Sequence, residues 1–386
     1  MRKSRSGRYA RVIAASILVT AVSTPVTPLG LADNLTPIVW GGVVKLSAQT
    51  DHTFDRSADH GSLTNTYSEP EVEWYANFGQ HFSLNGLFKM EQVRDPDSTG
   101  WFQDEGLWTD QLYATVALDP VRIYVGKIHP RFGVAWDVAP GLYGTDLAED
   151  YEIAEKIGFG AALDVRRFGL HTLAVEAFQA DTSFLSNSVI NRPRIDDPRL
   201  VRVGRARLSD GGIGNTGSPD NYAVTLRGGG IPRLDGLSYN VGVATQRGSD
   251  VGGELDERSY VAGLQWEFPL TSRITVVPIF EWARVENQGG ADLRADYYTA
   301  GAAFELGLGW SVSLHTTLKP VEDNAVPDHR TDRMFGASIG YDLGGVLKRK
   351  SRLLEGLGLE AGVKREDIEH ASQNTVGFAV VDARSF

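Results

Sequence analysis

The chain has 386 residues, no cysteine and a formal net charge of −11. Without cysteine, disulfides and thiolate chemistry are excluded, and stability rests on backbone pairing and burial. An acidic field of this size repels polyanions, which excludes nucleic-acid binding.

Residues 1–32 read as a cleaved secretory signal peptide. Arg2, Lys3, Arg5, Arg8 and Arg11 precede an apolar run over residues 12–22, followed by Thr24, Pro25, Pro28 and the small-residue end Gly30-Leu31-Ala32. That run is well short of the roughly 20 residues a membrane-spanning helix needs. Cleavage before Asp33 removes five basic and no acidic side chains, so the mature chain carries −16. Residues 33–386 show no Pro/Ser-rich linker or break in composition and read as a single domain.

The mature chain alternates with period two from end to end. Ile38, Trp40, Val44 and Leu46 oppose Lys45, Ser47 and Gln49. Val72, Trp74, Ala76 and Phe78 oppose Glu71, Glu73, Tyr75 and Asn77. Phe82, Leu84, Phe88 and Met90 oppose Ser83, Asn85, Lys89 and Glu91. Farther on, Ile274, Val276, Phe280 and Trp282 alternate with Thr275 and Glu281, and Tyr298 to Leu306 with Thr299, Gly301 and Glu305. Trp310, Val312, Leu314 and Leu318 alternate with Ser311, Ser313, His315 and Lys319. Each run predicts a strand with one apolar and one polar face.

Connections alternate as well. Tight turns at 79–80, 119–120, 166–169, 269–272 and 307–309 are separated by long polar segments at 51–68, 94–109, 129–155, 182–219, 248–257, 284–296 and 320–332. Strand starts fall near 38, 69, 81, 109, 121, 156, 170, 219, 237, 258, 273, 297, 310, 333, 357 and 374, which makes sixteen, with fourteen or eighteen as the counts if a hairpin is missed or invented. The turn at 342–356 is long for its side, and 182–219 has room for a further hairpin. Strands strung with short turns on one side and long loops on the other are the pattern of an all-β, antiparallel transmembrane β-barrel in a bacterial outer membrane. There the apolar faces meet lipid and the polar faces line the lumen, whereas in a soluble sandwich the apolar faces meet each other.

The terminal Phe386, with Phe378, Val380 and Val376 on its strand, resembles the C-terminal signature of bacterial outer-membrane proteins, although Asp382 and Arg384 depart from it. Across nearly the whole mature chain the pattern resembles bacterial porins. The run Gly126-Lys127-Ile128-His129-Pro130-Arg131-Phe132-Gly133 resembles a stretch of phosphate-selective and related porins. The resemblance implies a third loop folded into the barrel to set pore size, passive or weakly selective diffusion of small hydrophilic solutes or ions, and association into a homotrimer.

The third loop, 129–155, holds Asp137, Asp146, Glu149, Asp150, Glu152 and Glu155, and residues 145–156 predict a short helix capped by Thr145. Folded inward, Asp137, Asp146, Glu149, Asp150 and Glu152 would face Lys127 and Arg131 across a constriction; left outside, they would be hydrated loop charges. Lys45, Glu73, Lys89, Glu91, Glu281, Glu305, His315 and Lys319 are expected to face the lumen. Arg192, Arg194, Arg199, Arg202, Arg205 and Arg207 in the fourth loop would collect anions, bridge to lipopolysaccharide phosphates in the outer-membrane lipid, or stay solvated.

No catalytic, metal or cofactor site is expected. None of the eight histidines lies in a Gly-x-Ser-x-Gly or His-Glu-x-x-His context. His315, with Ser313 on the same face, keeps open a barrel hydrolase acting on lipid or peptide, and a plugged structural or adhesive barrel is the third reading.

Overall fold

A computed structural model describes residues 38–57, 61–94, 96–192, 206–325, 328–347 and 355–386; the signal-peptide reading of 1–32 lies outside them. Sixteen long strands run β1 (Val39–Phe54), β2 (two pieces, Leu63–Ser68 and Glu71–Phe78), β3 (Phe82–Gln92), β4 (Glu105–Leu118), β5 (Val121–Ile128), β6 (Lys156–Val165), β7 (Leu170–Ala180) and β8 (Asn221–Ile231). They continue as β9 (Leu234–Gln246), β10 (Glu257–Trp266, extended by Phe268–Pro269), β11 (Thr275–Glu286), β12 (Leu293–Gly307), β13 (Trp310–Asp323), β14 (Asp328–Asp342), β15 (Leu357–Ile368) and β16 (Ala371–Ser385). Each pairs antiparallel with the next, and β16 returns to β1 in an unbroken register from Val43↔Ser385 to Phe54↔Asn374. The sheet is therefore a closed barrel with no free edge.

Register fixes the faces. Leu46, Val125, Phe159, Val175, Val243, Phe280, Leu314, Phe335 and Phe378 point outward and are exposed, while Ser47, Glu176, Thr225, Glu281, Thr299, Thr317, Lys364 and Thr375 point inward and are buried. Exposed apolar and buried polar side chains invert the order of a soluble sandwich. Ring pairs Trp40–Phe386, Phe78–Phe82, Trp266–Phe268 and Trp310–Tyr341 mark the tight-turn rim.

Strands reach farther toward the long-loop side than their hydrophobic pattern does. Residues 51–54 and 63–68, expected within a loop, are paired strand, and β12 and β14 start at Leu293 and Asp328 rather than near 297 and 333. The break in β2 falls at Glu69-Pro70, where proline has no N–H to give the ladder. Ser47 Oγ donates to Glu69 O at 2.7 Å and Met90 N to Pro70 O at 2.9 Å, so the backbone remains paired there. The long-against-short alternation holds for the first twelve connections and then reverses: residues 324–327 and 369–370 are short, whereas 343–356 is long and opens with the helix Leu343–Leu347.

One stretch of wall is borrowed. β5 stops at Ile128, where the third loop turns inward, and leaves the upper part of β4 without its neighbour. Residues 190–192 of the fourth loop fill that place, pairing Ile190↔Leu107, Asn191↔Gly106 and Arg192↔Glu105. The room for a hidden hairpin in 182–219 is thus used, among the described residues, by a three-residue strand added to β4.

Candidate functional site: the third loop inside the barrel

The third loop crosses the lumen and is tied to distant strands. At its entry Gly133, with φ of 69°, occupies a point where a Cβ would lie 2.9 Å from Tyr151 and 3.0 Å from Glu281; only glycine tolerates both the backbone and the space. Arg227 on β8 donates to Gly133 O at 2.7 Å. A short helix follows, Ala135–Val138, and the free amides at its start point at Glu281 on β11: Val134 N lies 2.9 Å and Ala135 N 2.9 Å from the carboxylate. Glu281 also accepts from Tyr151 OH at 2.7 Å and Asn240 Nδ2 at 2.8 Å. A carboxylate suits this place because it takes several donors at once and complements the positive end of a helix.

At the tip, Gly141 has φ of 94°, and a Cβ there would crowd Ser313, Ser338 and His315. Leu142 N donates to Ser338 Oγ at 2.8 Å and Tyr143 OH to Asp51 on β1 at 2.7 Å. On the return, Asp146 meets Lys364 on β15 at 2.8 Å and Asp150 meets Lys319 on β13 at 2.7 Å. Lys364 lies over the Tyr143 ring and Lys319 over Tyr297. Under these polar ties Phe132, Ala135, Ala139, Ala148, Tyr151 and Ile153 pack on lumenal Phe178, Ala223, Val261, Ile279, Ala283, Val285, Ala295 and Val321. Burying each larger apolar side chain contributes about 1.5–3 kcal/mol, so this seat outweighs any single ion pair.

The base of the loop is ionic. Lys127, fully buried, is held between Glu155 at 2.8 Å and Asp181 at 3.1 Å, which ties the third loop to the fourth. His129 lies between Asp110 at 3.2 Å and Glu152 at 3.3 Å. Burial opposes a charged ring here, but the two carboxylates outweigh it and hold His129 up at about 10. Glu149, covered by the loop and accepting from Thr145 Oγ1 at 2.9 Å, is pushed well above the ordinary carboxylate range by burial and by neighbouring Asp146. Since His129 titrates above its usual 6.5 in the fold, the stability it lends is complete below about pH 6.5 and is lost as pH rises through about 10. The unfolding midpoint should therefore fall between about pH 7 and 10, and less so in His129→Gln; parallel pH profiles for the two proteins would remove the ring from this role.

Of the charges expected at a constriction, Arg131 and Asp137 are half-buried, Asp150 is exposed, Asp146 and Glu152 are nearly covered by their partners, and Lys127 and Glu149 are buried. Lys45, Glu73, Lys89, Glu91, Glu281, Glu305, His315 and Lys319 all lie on inward-facing register positions. Lys45 pairs with Glu71 and Lys89 with Glu91, so none of these lysines presents a bare charge to the loop. Glu305 lies near the tight-turn end, away from the loop. The helix expected over 145–156 is instead one 3-10 turn, Ala148–Tyr151, with Leu147 at its cap, and the Thr145 hydroxyl donates to the Glu149 side chain. In the fourth loop, Arg194, Arg199, Arg202 and Arg205 lie outside the described residues.

Sequence reasoning placed Glu281 on the lumenal face but missed that it seats the loop's first helix, and it missed the tyrosines 143 and 151 that reach the wall and the apolar lumenal wall. The last carries a faint signal: Val276-Val277-Pro278-Ile279-Phe280 is apolar on both faces. A strand facing lipid on one side and a packed loop on the other has to be.

No protein-family model matches the chain, and no curated protein matches it. Solved structures do. The barrel is similar to an anion-selective porin from Comamonas acidovorans, with 12% identity, 90% of this chain and 99% of that one covered and a TM-score of 0.52. It has the porin fold. A loop L8 deletion mutant of OmpT, an outer membrane protein of Vibrio cholerae, aligns at 9% identity over 89% and 99% with a TM-score of 0.51. The outer membrane channel DcaP of Acinetobacter baumannii aligns at 10% over 90% and 97% with a TM-score of 0.50.

Proposed function

We propose that the protein is a bacterial outer-membrane porin, a passive or weakly selective diffusion channel for small hydrophilic solutes or ions, exported by way of the signal peptide at 1–32. The observation that carries this reading is the inversion of faces in a closed sixteen-strand barrel. A barrel of this strand number encloses an aqueous lumen, whereas eight strands are filled by their own side chains. The outward apolar belt meets lipid, and the aromatic pairs along the tight-turn rim lie at an interface. The third loop, tied across the lumen, then sets the narrow zone, with Arg131, Asp137 and Asp150 as the charges that a passing solute meets. Lys127 and Glu149 act from beneath, by holding the loop. Assembly as a homotrimer and contact with lipopolysaccharide belong to the same reading.

A barrel hydrolase is disfavoured by the place of its best candidate. His315 and Ser313 are both buried, beneath Gly141 at the loop's tip, so neither offers a face to a substrate. Reconstitution of the mature protein into planar bilayers is expected to give stepwise ion currents. A heat-modifiable, detergent-folded barrel that passes no current would sink the channel and favour a plugged barrel; turnover of lipid or peptide abolished by His315→Ala would favour the enzyme.

A further inference from the structure

Along one inward row, from β12 to β15, the wall reads Gly301, His315, Gly336 and Lys364. The two glycines leave room on either side of the ring. A Cβ on Gly301 would lie 2.8 Å from Pro140 and one on Gly336 2.3 Å from His315 Nε2, so the tip of the third loop fills the first gap and the imidazole fills the second. Gly141 closes the pocket from above, where a Cβ would stand 3.2 Å from His315 Nδ1. His315 is 5% exposed. Its neighbour on the loop is the Pro140 carbonyl, yet neither ring nitrogen completes a hydrogen bond of ordinary geometry.

A neutral imidazole can be held in this way, but an imidazolium has two donors to satisfy and a charge to desolvate. The charged groups around the tip are Asp146 on the loop, Asp51 on β1, and Lys364 and Glu360 on β15. Asp146 is committed to Lys364 at 2.8 Å, Asp51 to Tyr143 OH at 2.7 Å, and Glu360 is turned to Ser338 and Leu142 N. A second cation here therefore meets Lys364 as a like charge. The tip is also the lightly held part of the loop: between residues 139 and 143 its polar ties to the wall are Leu142 N to Ser338 Oγ and Tyr143 OH to Asp51, over a small apolar seat on Ala379 and Val381.

We propose that His315 makes the tip of the third loop acid-responsive: on taking up a proton the ring drives residues 139–143 off the wall, and the lumen widens beneath them. With the tip lifted, the ring meets water and titrates near 6.5, the ordinary histidine value. The proton is bound better there than in the covered pocket, so acid draws the equilibrium toward the lifted tip, by up to about tenfold per pH unit, the slope of a single proton. The widening rests on the channel reading above, whereas the movement of the tip does not need a current.

Amide hydrogen exchange over residues 139–143 in the detergent-folded mature protein, wild type against His315→Gln at matched pH, reads the movement, and single-channel conductance reads its consequence. Between about pH 7 and 5, exchange at the wild-type tip is expected to outrun that of His315→Gln by a factor growing up to about tenfold per unit, and conductance to rise in wild type alone. The variant keeps Glu360 and Glu149, so an acid response common to both proteins belongs to those carboxyls. Should His315→Gln fail to fold, Leu142→Cys with Gly362→Cys takes its place. A Cβ on Gly362 would lie 2.9 Å from that of Leu142, within a small shift of disulfide geometry, and the chain has no other cysteine. The oxidised lock is expected to abolish the acid response and its reduction to restore it. Equal exchange in wild type and His315→Gln, or an undiminished acid response in the locked protein, would overturn the proposal, whereas a tip loosened by acid on a barrel that passes no current would overturn only the channel.

Discussion

Glu281→Ala is expected to release the first half of the third loop and to raise single-channel conductance. The substitution withdraws an acceptor shared by Val134 N, Ala135 N, Tyr151 OH and Asn240 Nδ2. In the closed loop these donors would lie buried without a partner, and each such group costs about 1–3 kcal/mol. They have an alternative, which is to reach water by leaving the wall. The loss at unfolding should therefore stop near 3 kcal/mol, below the sum over four donors. The cost of leaving is the apolar seat of Phe132, Ala135 and Tyr151 against Ile279, Ala283 and Tyr297. Glu281→Gln keeps one acceptor oxygen and should fall between wild type and Glu281→Ala in both readouts. Conductance in bilayers, together with the temperature at which the folded form converts on a detergent gel, decides it. Wild-type conductance with stability within about 0.5 kcal/mol would show that the carboxylate does not hold the loop.

The barrel was legible because a two-faced sheet writes its register into every second residue. The alternation runs through most of β12 and β13, and the starts of β5, β6, β13 and β15 fall where the sequence places them. Legibility failed where the outward face stops being apolar. Thr50, His52, Thr64 and Thr66 face outward above the belt, so hydrophobic contrast vanishes although the ladder continues, and residues 51–54 and 63–68 pass for loop. Within the site the acidic residues of the third loop were visible one by one, but their partners were not. Asp146 meets Lys364 across 218 residues of chain and Val134 meets Glu281 across 147, distances over which one sequence holds no local pattern. Lys127 shows the opposite failure. Its place beside Arg131 suggests one shared constriction, yet its ammonium is consumed by Glu155 and by Asp181, which lies beyond the next hairpin.

Reversal of charge at Lys364 tests the return half of the loop. Its side chain is 2% exposed, 2.8 Å from Asp146, 2.7 Å from Glu366 and above the Tyr143 ring. Lys364→Glu would gather three carboxylates in a covered place and lay a negative charge against the ring face. Breaking a buried pair in this way costs about 3–5 kcal/mol, chiefly because the charges left behind have lost both water and partner. The barrel has a cheaper escape than unfolding: the loop segment bearing Asp146 lifts off, Tyr143 leaves Asp51, and the lumen widens on that side. K364E is therefore expected to raise conductance and to shift reversal potentials in a salt gradient toward cations, since a cation has been replaced by an anion on the lumenal wall. Adding D146K restores a cation between Glu366 and the new carboxylate, and should return most of the lost stability and narrow the pore again. Charge is then the same in total as in wild type but exchanged between wall and loop, so recovery isolates the pairing itself from any change in net field. If K364E conducts and selects as wild type does, or if the exchange gives no recovery, the Lys364–Asp146 contact is not what keeps the loop closed.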